Sequence, residues 1–129
     1  MKGLLTRIGQ KITLQQRLAL LTGHLAEINA PNSGLEPGRI QRVFPNRFIK
    51  VQGELFVPLS LNSIRVFNVS PPRRSIPVGI RTTFPTGGAF NRIRIVRIGT
   101  DFIELLGKDK NRSRILLPLN KVEGIFPIK

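Results

Sequence analysis

At 129 residues the chain fits one ordinary domain or two very small ones, and its 40% hydrophobic content is enough for a packed core. It has no cysteine, which excludes disulfides, thiol catalysis and Cys-based metal sites, and no stretch approaches the roughly 18 apolar residues of a membrane span. A net charge of +14, from 21 Lys and Arg against seven acids, makes nucleic acid, anionic lipid, acidic protein or acidic polymer the natural class of partner.

The N-terminus, Met1-Lys2-Gly3-Leu4-Leu5-Thr6-Arg7, lacks the long apolar segment of a signal peptide, so cytoplasmic synthesis is expected. Leu14, Leu18, Leu21, Leu25 and Ile28 then recur at 4-3-4-3 spacing, one face of a helix, and Thr13 with Gln16 suits a capping box. Gly23 interrupts that pattern. We read a helix over 13–21 and a strand over 24–29; strands over 11–15 and 20–28 remain open as the other register.

From residue 30 the signals are those of short strands and tight turns. A loop over 30–37 precedes strands at 38–44 and 48–52, and Gly53-Glu54 suits a hairpin connection that tolerates positive φ. Strands at 55–61 and 64–69 follow. Ser70 to Pro77 (Ser-Pro-Pro-Arg-Arg-Ser-Ile-Pro) reads as a stiff linker. Beyond it, strands are expected at 78–84, 91–98, 102–106, 114–119 and 122–128. In Arg92-Ile93-Arg94-Ile95 the arginines should face outward and the isoleucines inward. The alternation slips at Val96-Arg97-Ile98, the mark of a bulge and a bend.

The second set of strands repeats the first. At an offset of 55 residues, Leu25-Ala26-Glu27-Ile28-Asn29 lies over Ile80-Arg81-Thr82-Thr83-Phe84, Ile40 over Ile95, Arg42 over Arg97 and Val43 over Ile98. With one residue dropped, Phe48 falls on Phe102 and Ile49 on Ile103. Val57-Pro58-Leu59 and Leu117-Pro118-Leu119 close the copies, each running on to a Phe, Phe67 or Phe126. These matched phenylalanines are expected in the core. A repeat this short makes each copy one supersecondary unit, too small to be stable without packing on something else. The division expected is a helical segment over 1–22, a first module over 23–69, the linker over 70–77 and a second module over 78–129.

Two units of about five short, bent strands suit SH3-like small barrels. The run Gly38-Arg39-Ile40-Gln41-Arg42-Val43-Phe44-Pro45-Asn46-Arg47-Phe48-Ile49 and its counterpart Arg94-Ile95-Val96-Arg97-Ile98-Gly99-Thr100-Asp101-Phe102-Ile103 resemble the Sm/LSm/Hfq pattern. Ile98 to Leu105, followed by Ile115-Leu116-Leu117-Pro118-Leu119-Asn120-Lys121-Val122, is similar to small Sm-like proteins of endospore-forming bacteria, some of them associated with the spore coat. The resemblance implies a mostly β fold of two tandem small SH3/Sm-like barrels behind a short N-terminal helix. It also implies a setting in bacterial spore surface layers. The Arg-Gly and Lys-His signatures by which Sm rings hold RNA are missing from the closing strands, a departure from that pattern.

Catalysis finds little footing. His24 is the sole histidine and has no patterned nucleophile, Asp101 reads as a turn residue, and Glu104 reads as a solvated position on a strand. No cofactor or metal motif is expected. The candidate surface for a polyanion or partner comprises Arg39, Arg42 and Arg47 in one copy and Arg92, Arg94 and Arg97 in the other, together a basic stripe, with a basic loop of Lys108, Lys110, Arg112 and Arg114. Without Trp or Tyr to stack on bases, nucleic-acid contacts would fall mainly on phosphates. The function expected first is a non-enzymatic structural protein that self-associates into a ring, filament or other homo-oligomer through its edge strands; phosphate-contacting nucleic-acid binding is the alternative. Leu4, Leu5, Ile8 and residues 125–128 could serve such docking, or cap the chain's own modules.

Overall fold

The computed structural model describes residues 3, 7–34, 36–109 and 112–128. Among the described residues a short helix, α1 (Leu14–Ala19), precedes eleven strands joined in a single antiparallel sheet. The helix starts where the sequence places its cap. The Thr13 hydroxyl accepts from the Gln16 amide at 3.0 Å and the Gln16 side chain accepts from the Thr13 amide at 2.9 Å, a reciprocal capping box. The chain then leaves the helix through Gly23 at φ +92°, so residues 13–28 divide into helix and strand. Thr13→Ala should lower stability by about 1 kcal/mol, read from the shift in Tm.

The first five long strands are β1 (Leu25–Ala30), β3 (Gly38–Val43), β4 (Ile49–Val51), β5 (Glu54–Phe56) and β6 (Ser63–Val66), with a 3₁₀ turn (Pro58–Ser60) before the last. The second five are β7 (Ile76–Thr82), β8 (Ile93–Ile98), β9 (Phe102–Leu106), β10 (Arg114–Pro118) and β11 (Val122–Pro127), again with a 3₁₀ turn (Leu119–Lys121) before the last. A two-residue strand, β2 (Ser33–Gly34), folds back on β1 within the loop expected over 30–37. The sheet order is β11-β7-β8-β9-β10-β6-β1-β3-β4-β5. Each half therefore runs fifth-first-second-third-fourth, and the fourth strand of the second half pairs with the fifth of the first.

The repeat is visible in the registers. Ile40 pairs with Val51 and Arg42 with Lys50, with a shift between them; Ile95 pairs with Leu105 and Arg97 with Glu104, with the same shift. The bulge expected near residue 97 is present, and its twin lies at Arg42. The first strands align differently from the sequence expectation. Ala26 faces Gly38 and Val78 faces Ile93, while Ile28 faces Ile64 and Ile80 faces Ile125, so Leu25 corresponds to Pro77 and not to Ile80. The following loop causes this, spanning residues 31–37 in one half and 83–92 in the other. Pro77 and Ile76 consequently belong to β7, and the irregular linker stops at Ser75.

The hairpin between β4 and β5 turns at Gln52 (φ 53°) and Gly53 (φ 79°), one residue earlier than expected. Two positive φ values in succession match the twist of the strands they join.

Two apolar cores result. Leu14, Leu18 and Leu21 of the helix segment pack with Ile28, Ile40, Ile49 and Ile64 in the first; Val78, Ile80, Ile93, Ile95 and Leu105 fill the second. The N-terminal segment belongs to neither half alone. Ile8 is buried in the second core and Gly9 bridges to Ile98, before the chain enters the first core as α1. Strands β9 and β10 also serve both, because successive side chains point to opposite faces. Phe102 and Leu116 enter the first core, Ile103 and Leu117 the second.

Equivalent phenylalanines do not share a fate. Phe102 is fully buried and Phe48 is 38% exposed. Phe126 also lies at the surface, its ring against Gly79, where a Cβ would stand 2.2 Å from the ring. Of the four matched phenylalanines only Phe102 is a core residue; Phe67 is half-buried and stacks beneath the Arg65 guanidinium.

Candidate functional site

All five residues of β9, Phe102-Ile103-Glu104-Leu105-Leu106, are buried, including Glu104 at 0% exposure. Glu104 is therefore not the solvated strand residue expected. An ionised carboxylate cannot remain in such a place without partners, and three arginines supply them.

Arg17 on α1 grips it with both arms of the fork, Nε to Oε1 at 2.8 Å and Nη2 to Oε2 at 3.0 Å. Arg97 on β8 donates from Nη1 to Oε1, and from Nε to the Gln10 side chain at 2.6 Å. Arg114 on β10, only 2% exposed, brings Nε to 3.2 Å from Oε2 and donates from Nη2 to the Ser70 carbonyl. Four segments of the chain thus meet at one carboxylate. The neighbouring Asp101 anchors the same helix, accepting from the Leu14 amide at 2.7 Å as well as ending the turn into β9.

Burial alone would raise the Glu104 pKa. The Arg17 hydrogen bonds and charge, followed by those of Arg97, outweigh it and hold the carboxyl below its ordinary value of 4.5. Burial lowers the Arg114 pKa; Glu104 opposes that, while repulsion from Arg17 and Arg97 adds to it. On the surface, the Ser113 hydroxyl donating to Asp109 at 2.6 Å, and Arg65 3.6 Å away, keep that carboxyl low as well.

A carboxylate with a depressed folded-state pKa contributes stability that is present above its unfolded pKa and lost as pH falls through the folded value. The Tm should therefore hold near neutrality and fall progressively as pH drops below about 4.5, checked by melts across an acid series.

Beside the cluster lies a cavity of about 330 Å³ lined by Arg17, His24, Arg97, Glu104 and Arg114 together with the chain around Pro71. His24 donates from Nδ1 to the Phe67 carbonyl at 2.9 Å. A second cavity, about 370 Å³, shares Pro72, Val96 and Arg97 with the first and adds Arg7, Arg73 and Arg74. Among the described residues, no three His, Cys, Asp or Glu side chains come together as metal ligands.

The basic residues expected at a binding surface separate into two sets. Arg97 and Arg114 are drawn into the Glu104 cluster, and Arg114 is too buried to belong to an exposed basic loop. Arg39, Arg42, Arg47, Arg92, Arg94, Lys108 and Arg112 are exposed, as the alternation of Arg92 to Ile95 required; Lys110 lies outside the described residues. Several are tied down locally. Arg39 donates to the Gly23 carbonyl, Arg94 to the side chain and carbonyl of Ser75, and Arg42 stacks over Phe44 at 4.7 Å. Between β3, which carries Arg39 and Arg42, and β8, which carries Arg94, stand four strands, so the two groups do not form one stripe.

The chain matches no family model, no curated protein and no solved structure. Among the described residues no helix is long and apolar enough to cross a membrane.

Sequence inspection missed Arg17 and misplaced Glu104. The available signal was the apolar run around residue 104: a strand buried on both faces that contains an acid must also supply its counter-charge.

Proposed function

We propose that each five-strand half is an SH3/Sm-like barrel module and that the chain is a non-enzymatic assembly protein, building rings or filaments by strand pairing between copies. The observation that carries this is the β6–β10 junction. There the fourth strand of one half pairs with the fifth strand of the other, Arg114 with Val66, Ile115 with Arg65 and Leu116 with Ile64. The same two kinds of edge remain at the ends of the sheet, the fourth strand of the first half (β5) and the fifth strand of the second (β11).

An open edge is a template for another strand. β5 of one copy pairing with β11 of the next would repeat the internal junction head to tail, giving a ring if the rotation closes and a filament if it does not. Leu55, 54% exposed on β5, supplies apolar surface at that edge. Ile8 and Ile125, in contrast, pack on the chain's own second core, and Leu4 and Leu5 lie outside the described residues. The spore surface layer remains the proposed setting, on the strength of the sequence resemblance alone.

Light scattering and negative-stain microscopy over a concentration series test the assembly. The wild-type chain should form rings or filaments, and Leu55→Lys should remain folded by circular dichroism while losing them. A strictly monomeric wild type at high concentration, or a Leu55→Lys variant that assembles unchanged, would reject the proposal. The exposed arginines favour a second reading, nucleic-acid binding through phosphates, which titration with RNA and DNA at low and moderate salt separates from the first.

A further inference from the structure

Three guanidiniums, those of Arg17, Arg97 and Arg114, meet a single carboxylate at Glu104, leaving a formal surplus of two positive charges beside the first cavity. The side chains of Arg17 and Arg97 are 13% and 21% exposed, so water screens that surplus only in part. The depression of the Arg114 pKa by burial and by its two arginine neighbours has the same origin.

Donors also remain. Arg17 uses Nε and Nη2 on Glu104, and Arg97 uses Nε on Gln10 and Nη1 on Glu104. That leaves Arg17 Nη1 and Arg97 Nη2 without an acceptor among the described residues. The adjoining cavity reaches the same Arg97 and adds Arg73 and Arg74, carried on the segment after Pro71-Pro72, and neither forms an ion pair among the described residues. Among the described residues, Glu104 is the one acid lining either space.

We propose that the two neighbouring cavities, which share Pro72, Val96 and Arg97, bind a compact anion carrying two adjacent phosphoryl groups. One group sits against Arg17, Arg97 and Arg114, the other against Arg73 and Arg74. Guanidinium forks match phosphoryl oxygens in pairs, and a doubled, multiply charged anion answers both the surplus charge and the shared Arg97. A nucleic-acid strand fits less well, because among the described residues no Phe lines either cavity to stack a base and its charge is spread at one per phosphate. The site does not depend on self-association.

Thermal melting of the full chain with pyrophosphate, orthophosphate or chloride at matched ionic strength tests this. Pyrophosphate should raise the Tm in a saturable way, as a ligand specific for the folded state does, and orthophosphate should do so more weakly. The Arg73→Gln/Arg74→Gln variant should melt like wild type without ligand yet bind pyrophosphate roughly tenfold more weakly. Arg92→Gln, at an exposed position outside both cavities, should bind as wild type does. A Tm shift that follows ionic strength regardless of the anion, or equal weakening by Arg92→Gln, would overturn the site. Tighter binding of a short oligonucleotide in competition with pyrophosphate, through Arg73 and Arg74, would also overturn it, in favour of nucleic acid.

Discussion

Glu104→Gln is expected to destabilise the protein by about 3–5 kcal/mol, because removing one partner of a buried ion cluster leaves the others uncompensated. Three guanidiniums would then face one another around a neutral amide, with Arg114 unable to escape to solvent. The expected fall in Tm is roughly 10–20 °C for a chain of this length, measured by calorimetry or circular dichroism. The control is Glu123→Gln, an exposed position where the change should stay within about 0.5 kcal/mol. The acid series adds a second readout. Wild-type stability should decline below about pH 4.5, and Glu104→Gln should flatten much of that decline, since the titrating group has gone. A Glu104→Gln variant within 1 kcal/mol of wild type would show that the cluster contributes little to holding the halves together.

The second large effect is an asymmetry between equivalent positions. Phe102→Ala should cost about 3–5 kcal/mol, the range for emptying a fully buried aromatic site, because its ring leaves β9 to fill the first core and packs beside Gly99. Phe48→Ala, the matching change in the other half, should cost under about 1 kcal/mol, since that ring is already more than a third exposed. Urea titrations of both variants would measure the difference directly. Similar losses at the two positions would contradict the burial that separates them.

These two sites also show what could be read from the chain by itself. Strand positions were legible where apolar and polar residues alternate. Arg92 to Ile95, the bulge near residue 97 and the capping box at Thr13 all follow from local periodicity and local hydrogen bonding. The offset was right at β3 (55) and, with one residue dropped, at β4 (54), but it failed at β1, because a loop three residues longer in the second half is invisible to pattern matching across Gly- and Pro-rich sequence. The fates of Phe48 and Phe102 could not be read at all. Both begin a run of matching residues, and only the arrival of α1 and the first core over β9 makes one of them interior. The same asymmetry created the Glu104 cluster. The equivalent position in the first half is Lys50, exposed opposite Arg42, so the repeat offered no second copy from which to infer a buried ion pair.

The threading of residues 8–19 through both cores bears on how the polypeptide can mature during translation. The helix cap from Asp101 to Leu14, the Arg17–Glu104 ion pair and the Gln10–Arg97 hydrogen bond each join positions 87 residues apart. None of these three anchors exists until β9 has left the ribosome; before that, α1 has its packing on Ile28, Ile40, Ile49 and Ile64 and the Gln15 hydrogen bonds to the Phe44 and Phe48 carbonyls. The leading module must wait, incomplete, for its successor, and closing such distant contacts makes the final step slow and cooperative rather than sequential. A nascent chain halted after β6 would hold α1 on a first core that still lacks Phe102 and Leu116, leaving apolar surface for chaperones to bind.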